Sequence, residues 1–327
     1  MSQNEERWDR FQGALLGLAC GDAVGTTLEF QPRGSFTPLV DMVGGGPFSL
    51  KPGQWTDDTS MALCLAESLI RRGACDPQDQ MTRYANWYLH GYWSSTGECF
   101  DIGIATRTSV EQFLRTGDPL AGSSDPRSAG NGSLMRLAPV AMRYCGNEAL
   151  LQEMAALSSR TTHGAAECLD ACRLFSVALD RALRGGDKQQ VLGLADLQFS
   201  SPKIQQIAQG AYLAKDRDQI RGSGYVAESL EAALWCFARS NSCWEAVLEA
   251  ANLGDDADTT AAITGQLAGA FWEHPGCLRH GWRACTCPTT FVIWRRSCSM
   301  RIWPTLPSLA DIHLPSRSAC ATVSNLV

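Results

Sequence analysis

Glycine recurs at every fourth position near one end of the chain, at Gly13, Gly17, Gly21 and Gly25. A second run of small residues, Ala261, Gly265 and Gly269, keeps the same step far downstream. A step of four places residues on one face of an α-helix. A face without side chains is one that another backbone can approach closely. Each interior glycine costs about 1 kcal/mol relative to alanine, so the spacing predicts a compensating contact, the tight packing of two central helices.

Each stripe lies beside an acidic motif, so tight packing is expected to bring the two motifs together. WTDDTSM, residues 55–61, sets Asp57 and Asp58 between threonines just before an apolar run. GDDADTTAAITGQLAGA, residues 254–270, repeats the arrangement with Asp255, Asp256 and Asp258. Carboxylates are favoured at helix N-termini, by about 0.3–1 kcal/mol each at exposed positions, and Asp and Thr are good N-caps. Capping accounts for one such pair less strainedly than for two clusters. The second reading is a cage of oxygen ligands for hard divalent cations, four carboxylates and two threonine hydroxyls holding two ions. Chemistry alone leaves both readings open.

Helical spacing of apolar residues also marks 7–23, 61–72, 149–157, 165–183, 226–238 and 244–253, whereas strand alternation bounded by turns is hard to find. Loops are expected at 44–47, 118–132 and 184–187. The expected fold is a single compact all-α domain over residues 1–272. A formal net charge of −6 argues against general nucleic-acid binding. The first residues lack a secretory pattern and no apolar run suits a membrane span, so no membrane partner is expected. The fourteen scattered cysteines, several inside helical patterns, read as buried thiols of a reducing cytoplasm rather than a disulfide framework. The CxC pair Cys285 and Cys287 is a weak metal signal.

Residues 273–327 break the pattern. After Glu273 there is one acid, Asp311, against six arginines and no lysine, with five cysteines and three tryptophans. The plainer reading is a poorly ordered basic extension. The sharper one is a frameshifted tail, because codons can be chosen for 273–300 that, read two nucleotides on, encode a segment of helix-like composition and balanced charge.

Four motifs in order, GLACGDAVGTTLEF (17–30), QWTDDTSM (54–61), GNGSLMR (130–136) and GDDADTTAAITGQLAGA (254–270), resemble those of the ADP-ribosylglycohydrolase family. The resemblance implies an all-α fold and a dinuclear Mg²⁺ or Mn²⁺ centre. It implies hydrolysis of the N-glycosidic bond between ADP-ribose and arginine on modified proteins. Thr56, Asp57 and Asp58 match one metal-binding cluster, and Asp256, Asp258 and Thr259 match the other. Asp255 stands where the family often has glycine and is left outside. Glu29 matches an acid near the scissile ribose and, with Asp58, is the expected catalytic group, although from sequence alone it reads as a surface acid after a helix.

CFDIG (99–103) resembles a loop bordering the substrate, with Asp101 and Gly103 toward the guanidinium side. Ile104 follows where relatives often carry Asn. Asn131, Gly132 and Ser133 resemble the loop that holds phosphates and ribose, where glycine lets backbone N–H groups approach. His163 resembles a histidine near the ribose or phosphate; its plainer role is a cap or satisfied core group. The alternatives are hydrolysis of another linkage, serine or O-acetyl-ADP-ribose, or a non-catalytic binder of ADP-ribose or of an ADP-ribosyltransferase toxin.

Overall fold

The computed structural model describes residues 3–272; the basic tail at 273–327 lies outside the described residues. Twelve α-helices are described: α1 (Gln3–Gly25), α2 (Asp57–Arg72), α3 (Pro77–His90), α4 (Ile104–Thr116), α5 (Ala138–Arg143), α6 (Glu148–Arg160), α7 (Ala166–Leu183), α8 (Lys188–Leu192), α9 (Pro202–Ala208), α10 (Val226–Arg239), α11 (Cys243–Ala251) and α12 (Ala257–Trp272). Among the described residues there is no strand, and only isolated bridges link loops. The fold is all-α, as expected.

Its axis is the antiparallel pair α1 and α12. Both helices are buried on nearly every side, the property of a helix at the centre of a core. The glycine stripes meet there. A methyl group built on Gly17 would overlap the backbone of Gly265, one on Gly21 that of Ala261, and one on Gly269 that of Gly13. The cost of glycine inside a helix is thus offset by backbone-to-backbone packing. Around this pair stand α2, α7, α10 and α11, all in contact with α12.

Helix ends follow local chemistry. Asp76 caps α3 through the Asp79 amide, with Pro77 at the first helical position. Left-handed glycines Gly73, Gly91 and Gly117 close α2, α3 and α4. Helices α3 and α4 were not among the periodic segments. The buried stripe of α3 is built from Gln80, Met81, Tyr84 and Trp87, and that of α4 from Thr106, Ser109, Val110 and Phe113; these mixed polar and aromatic faces blur the apolar period. Eight described cysteines are free thiols, five of them buried. No described helix is long and apolar enough to cross a membrane.

Candidate active site

Two helix starts converge beside the central pair. Thr56 precedes α2, with Asp57 and Asp58 in its first turn. Asp256 precedes α12, with Asp258 in its first turn. Each helix start receives a carboxylate from outside the helix, and Asp258 Oδ1 also accepts from the Thr259 amide at 2.8 Å. Asp22 of α1 accepts hydrogen bonds from the amides of Thr56 (2.9 Å) and Thr59 (3.0 Å) and from their hydroxyls (2.9 and 2.6 Å). Glu29 accepts from the amides of Ala257 (3.0 Å) and Asp258 (3.4 Å). Both helix starts are therefore capped by acids from the α1 end of the chain. Asp57, Asp58 and Asp256 are in excess of what capping needs, which answers the plainer reading of the motifs.

Two sets of three carboxylates each bring ligand oxygens within 4.8 Å of one another: Asp22, Asp58 and Asp258, and Glu29, Asp256 and Asp258. Asp258 is common to both. Asp57 is in neither set, yet it is buried and feels the charges of Asp258, Asp22 and Asp256. Thr259 Oγ1 donates toward Asp58 Oδ2 at 3.4 Å, and Thr56 Oγ1, whose proton is given to Asp22, lies 3.3 Å from the same oxygen. Asp58 Oδ1 is fully buried and has no hydrogen-bond partner. Among the described residues no lysine or arginine forms an ion pair with any of these acids.

The electrostatic consequence is severe. Burial first, and then the charge of Asp258, push Asp22 up to about 7, and the same causes push Asp256 up to about 7. Glu29, Asp57 and Asp58 are driven well above the carboxylate range, first by burial and then by the charge of Asp258, with Asp22 the leading charge at Asp58. Asp101 rises to about 11 through burial and through Asp258 and Asp57. Crowded acids without a counter-charge resist joint ionisation. An orphaned buried carboxylate oxygen, an all-oxygen donor set and unbalanced negative charge fit a hard divalent cation.

Asp22 is the site residue missed in the sequence. It is the single charge in an otherwise small and apolar stretch, 11–26, and a buried lone acid of that kind needs partners. Asp255, left out of the ligand set, is exposed and left-handed, φ 60°. That backbone shape explains why glycine would suit the position.

The GNGS loop reaches the cluster through Asn131, whose Nδ2 donates to Asp256 Oδ2 at 2.8 Å. Ser133 turns its hydroxyl into the core, accepting from Ser159 at 2.8 Å, so any part it takes in binding falls to its backbone. His163 is buried beneath the loop, and a Cβ on Gly132 would press on its ring. Arg136 donates to Thr162 Oγ1 and to the Gly132 carbonyl (both 2.8 Å), which leaves the Thr162 hydroxyl proton for His163 Nδ1 at 2.8 Å. Burial and the Arg136 charge lower His163 to about 3, so it is a neutral support for the loop. Asp101 is left-handed, φ 57°, and its carboxyl lies within hydrogen-bonding reach of Asp258. Gly103 is exposed at the N-cap of α4, with open space where a side chain would be, and Ile104 beside it is 87% exposed.

A cavity of about 1350 Å³ opens between α4 and the 120–130 segment, with Gly130, Gly224 and Tyr225 in its lining. Gly130 adjoins Asn131, and Gly224 lies beside the Asp256 carboxylate, so one wall of the cavity neighbours the cluster, although none of the acids lines it.

Residues 2–299 match the ADP-ribosylglycohydrolase profile. The chain is 49% identical over 272 residues to an ADP-ribosylarginine hydrolase, Tri1, of Pseudomonas putida (strain GB-1), covering 83% of this chain and 73% of that one. It is 44% identical over 271 residues to the Tri1 hydrolase of Serratia proteamaculans (strain 568), covering 82% and 73%. A solved structure, an ADP-ribosylglycohydrolase-related protein complex, superposes with a TM-score of 0.78 at 42% identity, covering 90% of this chain and 98% of that one. With its helical fold, its paired acidic helix starts and these relatives, the chain belongs to the ADP-ribosylglycohydrolase family of hydrolases.

Proposed function

We propose that the protein removes ADP-ribose from arginine side chains of modified proteins by hydrolysing the N-glycosidic bond. The observation that carries this reading is the buried acid cluster around Asp258, which has no basic partner among the described residues and holds one orphaned oxygen, Asp58 Oδ1. The arginine linkage is taken from the relatives named ADP-ribosylarginine hydrolases. The cavity whose wall at Gly130 and Gly224 neighbours the cluster suits the nucleotide part of such a substrate.

Thr56, Asp57, Asp58, Asp256, Asp258 and Thr259 are the residues we assign to two divalent ions, Mg²⁺ or Mn²⁺, with Asp22 holding the first helix start in place. When bound, such ions supply positive charge for substrate oxygens and ease deprotonation of water. The residues of the chain do the rest. Carboxylates gathered around the anomeric carbon favour an oxocarbenium-like transition state. Glu29, fixed by two amides of α12, or Asp58 orients the attacking water and takes its proton. Asp101, within reach of Asp258, is the acid we assign to hand a proton to the departing guanidine.

The test is release of ADP-ribose from an arginine-modified protein with Mg²⁺ or Mn²⁺, beside serine-linked and O-acetyl substrates. Release from arginine is expected, lost on chelation and lost in Asp258→Ala. Full turnover by Asp258→Ala in chelator would sink the metal reading, and preference for serine or acetyl ester would move the linkage.

A further inference from the structure

We propose that Phe30, Phe48 and Phe100 form an aromatic shelf that receives the guanidinium-bearing stem of the substrate and makes the site selective for arginine. The inference rests on the functional reading above and adds the residues that recognise the side chain. Phe30 follows Glu29, and Phe100 precedes Asp101. The Phe48 ring lies between them, its centroid 6.4 Å from that of Phe30 at 73° and 5.3 Å from that of Phe100 at 59°. Three rings from three segments thus make one strip that joins two acids of the site.

Packing does not account for the strip. Phe30 is 67% exposed and its backbone is left-handed, φ 62°, a genuine outlier for a bulky side chain. The conformation is held from outside. The Phe30 amide donates to the Asp255 carbonyl and the Asp255 amide to the Gln31 carbonyl, both at 2.8 Å. Asp101, next to Phe100, is left-handed as well. Backbone strain retained at an exposed ring beside reacting groups points to function. Phe48 is equally well fixed. Its turn is closed by paired amide and carbonyl bonds of Gly45 and Leu50 (2.7 and 2.9 Å), and Thr27 Oγ1 donates to the Gly44 carbonyl at 3.0 Å.

The chemistry matches one occupant. A guanidinium is planar, weakly hydrated and cationic, stacks on ring faces and pairs with carboxylates. The strip offers ring faces, and the carboxyls of Asp101 and Glu29, next in the chain to Phe100 and Phe30, offer oxygens to guanidinium N–H groups. An arginine stem has methylenes for the rings and N–H donors for those oxygens. A serine or acetyl linkage has neither and gains nothing from the shelf.

The experiment is steady-state kinetics of the full chain with Mg²⁺ on a peptide carrying ADP-ribosyl-arginine, paired with calorimetric binding of free ADP-ribose. Phe30→Ala is expected to raise KM by about three- to tenfold with ADP-ribose affinity unchanged, and Phe30→Tyr is expected to keep the wild-type KM. Because Phe30 is exposed, a thermal melt matching wild type is expected for both variants. Wild-type turnover with an unchanged KM in both Phe30→Ala and Phe48→Ala overturns the shelf and leaves the function standing. An equal loss of ADP-ribose affinity also overturns it, since the rings would then serve the nucleotide. Absence of wild-type turnover on the arginine peptide overturns the functional reading itself.

Discussion

Asp22 and Glu29 perform the same task at two places: each gives a carboxylate to the amides of a helix start on another element. Asp22 accepts four hydrogen bonds while fully buried. Asp22→Ala leaves the Thr56 and Thr59 amides without acceptors, and a buried orphaned donor costs about 1–3 kcal/mol. Part of that loss is returned, because Asp22 also adds negative charge beside Asp258. The expected net effect is a loss of about 2 kcal/mol in urea unfolding of the metal-free protein, and an unchanged midpoint would show that α2 holds its start unaided. Residue-level legibility divides along the same line. Asp57, Asp58, Asp256 and Asp258 were readable because acids clustered beside threonines are unusual. Asp22 was hidden because one acid in an apolar helix carries no pattern, and its meaning depends on Thr56 and Thr59, which only the fold brings near.

At the scale of elements the contact between α1 and α12 sets the distance between the two acidic motifs. This was legible, because a four-residue step of glycine has few uses other than close helix packing. What stayed illegible was the support from α3 and α4, whose buried faces carry Gln80, Thr106 and Ser109 and look polar in the sequence. The glycine contact makes an unequivocal demand. Gly21→Ala gains about 1 kcal/mol of helix propensity, but the new methyl overlaps the Ala261 carbonyl and the Ala262 amide nitrogen. Backbone atoms cannot swing aside, so the helices must separate, and overpacking of this kind costs about 1–3 kcal/mol or more. A net destabilisation is expected on thermal melting, with weaker Mg²⁺ binding as Asp22 and Asp258 move apart. Gly103→Ala, which meets open space, should leave the melting temperature near that of wild type. If Gly21→Ala were as stable as wild type, the stripes would have no structural role.

For the whole molecule the site is a stored liability. The core closes around crowded acids that lack a basic partner among the described residues, so the metal-free protein carries a cost that proteins tolerate where function requires it. The opposing effects can be separated in one variant. Asp58→Asn keeps the shape of the side chain and its hydroxyl neighbours but removes an ionisable group that is fully buried and whose Oδ1 has no partner. In chelator this variant should melt higher than wild type, by about 0.5–2 kcal/mol in stability. With Mg²⁺ the order should reverse. Wild type gains about 2.7 kcal/mol when the ion is at a hundred times its dissociation constant, and the variant, with a ligand missing from the cluster, gains little. Crossing of the two curves on titration with Mg²⁺, followed by differential scanning calorimetry, is therefore the expected signature of an acid cluster built to hold cations. Parallel curves would mean that the repulsion at Asp58 is relieved by protonation alone and that the cluster does not bind the ion.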